Sequence, residues 1–191
     1  MSEAHFVILV GVEGSGKTTI GKMLATNLGY EYLVELGGEL RQKSPCQVDT
    51  KCELFDELLM YRELERDNLL VNKRILGFVL EQWHIGNIAF SLTRASRVAE
   101  NYLEKVKEKK IQLQNCTIID LVLPVKKMIE INQLRGKNIH KPEAIIAFYE
   151  QWLENLKFIL GNLGLKSYPI DACLTVEEVY NKALEIVNLR R

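Results

Sequence analysis

Four cysteines in 191 residues, with no C-x-x-C pair among them, offer neither a disulfide framework nor a zinc pattern, and the three histidines are scattered. Reduced thiols are therefore expected of Cys46, Cys52, Cys116 and Cys173, as in a cytoplasmic protein. Proline is equally sparse, at four, so few breaks interrupt regular structure. No charge is in excess: 25 Lys and Arg balance 25 Asp and Glu, for a formal net charge of 0. Such a chain has no overall basic field to attract nucleic acid or an anionic membrane, and neither is expected as a partner. No apolar run is long enough to span a bilayer. The run nearest the N-terminus, Phe6 to Val10, leads directly into a glycine-rich segment, which argues against a signal peptide or an anchor. Internal repeats and low-complexity segments are also missing. The length fits a single domain over residues 1–191 with a sizeable core.

What the chain has in full is Gly11-Val12-Glu13-Gly14-Ser15-Gly16-Lys17-Thr18-Thr19, a complete G-x-x-x-x-G-K-[ST] phosphate-binding loop. Before it, Phe6-Val7-Ile8-Leu9-Val10 reads as a buried parallel strand. After it, Ile20, Met23, Leu24 and Leu28 recur at helical spacing and stop at Gly29. Glycines 11, 14 and 16 let the backbone close around phosphate oxygens, whose charge meets successive N–H groups and the positive end of the helix dipole. In this motif Lys17 reaches the β- and γ-phosphates and the Thr18 hydroxyl ligates Mg²⁺. With glycine at about 7% of residues, the fixed positions arise by chance in roughly one chain in a hundred of this length, before the flanking strand and helix are required.

Further strands are expected at Tyr30–Leu36, Arg74–Leu80, Ile118–Leu123 and Lys166–Ala172, alternating with helical patterns. The helical patterns cover Leu54–Leu69, Trp83–Lys110, Met128–Leu134, Ile145–Leu156 and Val176–Leu189. The segment from Leu36 to Lys51 reads as a loop facing the ligand, and residues 135–142 as a short basic lid. Strand and helix alternation predicts a three-layer α/β/α fold of the P-loop NTPase type, with a five-stranded parallel sheet. Glu81 follows the third strand, and ligands of such folds bind beyond the carboxyl ends of the strands, so its carboxylate would face the phosphates. The bland alternative is a carboxylate that only caps the next helix. Arg62 either meets the acceptor or pairs with Glu65 on its own helix. Trp83 is expected to face the ligand because its helix starts at the cleft.

Over most of its length the chain resembles the thymidylate kinases and their relatives among deoxynucleoside and nucleoside-monophosphate kinases. The loop is similar, down to the acidic Glu13, which the resemblance places beside the acceptor sugar. Glu35, Gly37, Gly38 and Arg41 resemble a shortened R-E-P-G-G segment and the arginine after it. Arg62 stands near the family's acceptor-phosphate arginine, with Arg66 as a competitor for that place. Glu81-Gln82-Trp83 takes the place of D-R-Y/H, and Ala89-Phe90 that of the A-Y that follows. Ile170-Asp171-Ala172 is similar to the I-D-A strand end where adenine packs, so Ala172 would contact ATP. The chain departs from the pattern at Gln82, where an arginine holds the acceptor monophosphate, and at Ser91, where a glutamine reads thymine. Glu81 is also similar to the glutamate of the deoxynucleoside kinases' E-R-S motif, which accepts the proton of the attacking hydroxyl.

The resemblance implies ATP-dependent phosphoryl transfer to a nucleotide or nucleoside, with ATP and Mg²⁺ as cofactors and a homodimer as the assembly. Lys17, with the loop from Gly11 to Thr19, would hold the donor; Thr18 and Glu81 would hold Mg²⁺, and Arg135 would stabilise the transferring group. Glu13, Arg41, Arg62, Trp83 and Phe90 would form the acceptor side. A nucleoside-monophosphate kinase is the leading expectation and a deoxynucleoside kinase the alternative. A second alternative is a non-catalytic or regulatory ATP-binding P-loop protein. The N-K-x-D segment of a GTPase does not occur.

Overall fold

The computed structural model describes residues 4–44, 46, 49–71, 73, 75–108, 114–137, 139 and 141–190. At its centre is β1 (His5–Val10), buried along its whole length. Its continuous apolar run has no solvent face because helices cover both sides of the sheet. β3 (Gly77–Glu81) and β4 (Cys116–Val122) flank it in parallel, with Leu9 opposite Glu81 and Val10 opposite Asp120. β2 (Glu31–Leu33) and β5 (Ser167–Asp171) form the edges, giving the order β2-β3-β1-β4-β5. This is the expected five-stranded parallel sheet.

Alternate residues of β1 feed two cores. Val7 and Leu9 pack under α1 (Lys17–Leu28) and α8 (Val176–Asn188). Phe6, Ile8 and Val10 face α3 (Glu53–Val71), α4 (Trp83–Thr93), α5 (Val98–Lys107), α6 (Val125–Leu134) and α7 (Pro142–Asn162). A short α2 (Leu36–Arg41) lies between β2 and α3. The result is three layers, α/β/α. Local chemistry sets several ends: Gly29, at φ 66°, closes α1, and Thr175 with Glu178 forms a capping box that opens α8.

The structure corrects four sequence expectations. The second strand stops at Leu33, and the expected loop opens instead with α2. The long helical pattern after Glu81 breaks into α4 and α5, because Arg94 turns into the core toward Asp56 and Ala95 takes a left-handed φ of 50°. The third strand begins at Gly77. Cys46 and Cys52, expected as free thiols, form a disulfide: the turn after α2 brings their Cα atoms to 6.1 Å, while Cys116 and Cys173 stay reduced. That bond removes the thiol argument for a cytoplasmic location. Arg74, Lys109, Lys110, and Asn138 and His140 of the lid lie outside the described residues. Among the described residues no helix is long and apolar enough to cross a membrane.

Candidate active site

β1 delivers the phosphate loop to the carboxyl edge of the sheet. Gly11 has φ 145°, and a Cβ there would meet the Leu121 carbonyl of β4 at 2.6 Å, so only glycine fits where the loop crosses the neighbouring strand. Gly14 and Gly16 also have positive φ, and Gly16 forms the N-cap of α1. Lys17 is buried and folds back on its own loop, its Nζ donating to the carbonyls of Gly11 (2.9 Å) and Val12 (3.0 Å). Burial lowers its pKa against the pull of Glu35, Glu81 and Glu13. The Ser15 hydroxyl is buried with no hydrogen-bond partner among the described residues, and Thr18 and Thr19 are exposed at the start of α1.

A cleft of about 580 Å³ opens over this loop. Its donor side carries Lys17, Thr18 and Thr19, with Arg135 and Lys137 overhead from the end of α6, and Lys137 bonds Glu13 across the loop. Its far side carries Glu35, Arg41, Gln42, Phe90 and Tyr149. Arg41 donates to Glu35 at 2.9 Å and lies 5.8 Å from the Phe90 ring centroid. Arg94 lies 5.8 Å from the same centroid and is ion-paired with buried Asp56. Burial among these groups pushes the Tyr149 phenol up from its ordinary pKa, with Glu13 and Glu35 adding to the effect.

Between the two sides stands Glu81, brought there by the register of β3 against Leu9. Its carboxylate accepts from the Tyr32 hydroxyl of β2. The next residue, Gln82, has φ 57° and Trp83 φ 46°, a left-handed pair with no glycine. Such a pair is costly and is held by its surroundings. The Gln82 N–H donates to Leu9 O at 2.8 Å and its Nε2 to Gly11 O at 2.9 Å. The Trp83 indole donates to Asp67 at 2.9 Å and packs on Phe6.

The expected residues thus separate. Glu13, Gly14, Gly16, Lys17, Thr18, Thr19, Arg41, Glu81, Phe90 and Arg135 all line the cleft. Gly11 and Ser15 are buried parts of the loop beneath it. Three residues stand elsewhere. Trp83, expected to face the ligand, is fully buried, because the left-handed turn swings it under the sheet. Arg62 points to solvent and pairs with Glu65 at 3.0 Å. Ala172 lies past β5, its N–H bonded to Val122 O, and does not line the cleft. Arg66, the competitor of Arg62, bonds the Val34 carbonyl and Glu63. Tyr32, Gln42 and Tyr149 were not singled out as ligands from the sequence; the strand alternation that carries Tyr32 was visible, its neighbours across the sheet were not.

Mg²⁺ suits the oxygens present. Among the described residues no group of three or more His, Cys, Asp or Glu side chains could cage a metal. Thr18 and Glu81 offer one hydroxyl and one carboxylate beside the phosphate loop, which matches an ion that keeps waters and leans on substrate phosphates.

A phosphate loop between the central strand and first helix of an all-parallel, three-layer sheet defines the fold of P-loop kinases. Solved structures with that fold align along nearly the whole chain. A deoxyadenosine kinase from M. mycoides with bound dATP aligns at TM-score 0.67 and 16% identity, over 96% of this chain and 99% of that one. YorR protein from Bacillus subtilis, in complex with phosphorylated GDP, aligns at 0.64 and 16%, over 96% of each chain. A gluconokinase from Sinorhizobium meliloti 1021 aligns at 0.60 and 16%, over 100% of this chain and 95% of that one. No protein-family model and no curated protein matches the sequence.

Proposed function

We propose that this chain transfers the γ-phosphoryl group of Mg-ATP to a hydroxyl of a nucleoside-sized acceptor. The observation that carries the choice of acceptor is the pairing of its arginines. On the far side of the cleft Arg41 is bound to Glu35 and Arg94 to Asp56, Arg62 points away, and Gln82 is held by the loop carbonyl. A monophosphate acceptor calls for unpaired cations there; a neutral sugar and base call for a carboxylate and an aromatic wall, and Glu35 and Phe90 are those groups. The fold shared with a deoxyadenosine kinase supports the same class.

Phosphoryl transfer asks for positioning and neutralisation of charge more than for covalent help. In this reading the loop amides and Lys17 hold the β- and γ-phosphates, and Lys17 exchanges its two carbonyl partners for phosphate oxygens. Arg135 meets the outer oxygens of the transferring group, and Lys137 keeps Glu13 turned from them. Bound Mg²⁺ would neutralise the phosphate oxygens, held by Thr18 and Glu81. Glu35 accepts the proton of the acceptor hydroxyl as that oxygen bonds to the γ-phosphorus and the bond to the bridging oxygen breaks, releasing ADP. Glu81, engaged by Tyr32 beside Thr18, is the metal-side carboxylate.

The nucleoside-monophosphate reading rests on Arg41, which an acceptor phosphate would have to draw away from Glu35. Transfer of labelled γ-phosphate across a panel of nucleosides and nucleoside monophosphates, with Lys17→Ala as the control, separates the readings. Product on a nucleoside, lost in the variant, is expected. Product on monophosphates alone would move Arg41 into the role of phosphate clamp. ATP binding without any acceptor-dependent product would favour a regulatory ATP-binding protein. The homodimer implied by the resemblance belongs to this proposal, with the outward residues Leu54, Leu58 and Tyr61 of α3 as the surface it would bury.

A further inference from the structure

Tyr32 sits at the edge of the sheet, opposite Val79 in the register of β2 and β3, two residues before Glu81. Its ring lies over α1 at a point where no side chain intervenes: a Cβ on Gly21 would come within 2.8 Å of Tyr32 Cε2. Lys22 closes the outer side, its Nζ 5.9 Å from the ring centroid. The ring is thereby fixed, and so is its hydroxyl, which donates to Glu81 Oε1. The phenol therefore holds one oxygen of the Glu81 carboxylate from a fixed position over α1.

The direction matters for a cation. A carboxylate that accepts a hydrogen bond on one oxygen keeps the other free.

We infer that Tyr32 is a positioning residue for Mg²⁺, orienting the Glu81 carboxylate so that its free oxygen presents lone pairs to the ion. The inference rests on the phosphoryl-transfer reading above and adds to it a residue outside the motif. Groups that orient metal ligands from behind are worth about 10- to 100-fold in metal affinity when removed.

The test is binding of a fluorescent ADP analogue to wild-type and Tyr32→Phe protein, first with EDTA and then across a Mg²⁺ titration, with turnover measured in parallel. Equal affinity in EDTA and at least a tenfold rise in the Mg²⁺ concentration for half-maximal effect are expected, with the acceptor KM unchanged. Gly21→Ala, which displaces the ring but removes no hydroxyl, should shift the Mg²⁺ midpoint in the same direction, and it serves if Tyr32→Phe does not fold. An unchanged midpoint in folded Tyr32→Phe, or an equal loss of affinity in EDTA, overturns the inference and leaves the proposed function standing. A wild-type protein that binds no nucleotide under either condition overturns both.

Discussion

Lys17 is a charged group kept from water by its own loop, its ammonium resting on two carbonyls. Lys17→Ala should therefore lower phosphoryl transfer by about 100- to 1000-fold, the usual cost of one group aimed at developing charge. Circular dichroism melts should show no loss of stability, because a buried ammonium is costly to the fold. Arg62→Ala offers the contrast: its exposed pair with Glu65 is worth roughly 0–1 kcal/mol, and neither stability nor turnover should move appreciably. Cys116 supplies a pH signature. Burial pushes its thiol from the ordinary 9.0 to about 11, so the folded protein holds a proton that the unfolded chain has lost. The corresponding stability is present below pH 9 and lost as pH rises toward 11. Alkylation of Cys116 by iodoacetamide should stay slow at pH 9, where exposed Cys173 reacts first, as peptide mass mapping would show.

At the scale of elements, α4 is tied to α3 and α5 by a buried polar network. Asp67 accepts from Trp83 and bonds His84, His84 meets Tyr102, and Glu63 binds Asn87 and Arg66. Trp83→Phe should lose about 1–3 kcal/mol in denaturant unfolding, the penalty for leaving a buried acceptor short of a donor, with nucleotide affinity unchanged. Burial holds the Glu63 carboxyl above its ordinary 4.5 against the pull of Arg66 and His84. The folded state thus binds more protons than the unfolded one as pH rises from 4.5, and stability falls through the raised value. The stability difference between wild type and Glu63→Gln should accordingly shrink across that window in pH-dependent melts.

This network also explains what was legible in the sequence. The phosphate loop is covalently local: its glycines, lysine and threonine carry their geometry in their spacing, and Glu81 followed from a strand end. Trp83 was misread because a left-handed pair at Gln82 and Trp83 needs glycine in ordinary chains, and here tertiary bonds to Leu9, Gly11 and Asp67 impose it. The break between α4 and α5 has no Pro or Gly to announce it; a buried ion pair with Asp56, 38 residues earlier in the sequence, makes it. Tyr32 acquires its meaning only when β2 docks beside β3.

For the whole molecule, the stripe of Leu54, Leu58 and Tyr61 on α3 is spaced to lie along one helix face and is exposed in the single chain. If two copies bury it, Leu58→Asp should convert a dimer of about twice the 22.0 kDa chain mass to a monomer in light scattering, with the fold intact by circular dichroism. A wild-type monomer would remove the assembly from the proposal.

The central position of β1 sets the order in which the protein can come into being. Its hydrogen-bonding partners, β3 and β4, begin at residues 77 and 116, and the Gly11 turn rests against the backbone of Leu121. Pairings this distant in sequence are slow to close, and neither can form on the ribosome before its own partner strand has been made. The phosphate loop is thus among the first segments synthesised and among the last to acquire its shape, and a nascent chain stays blind to nucleotide until well over half of it has emerged.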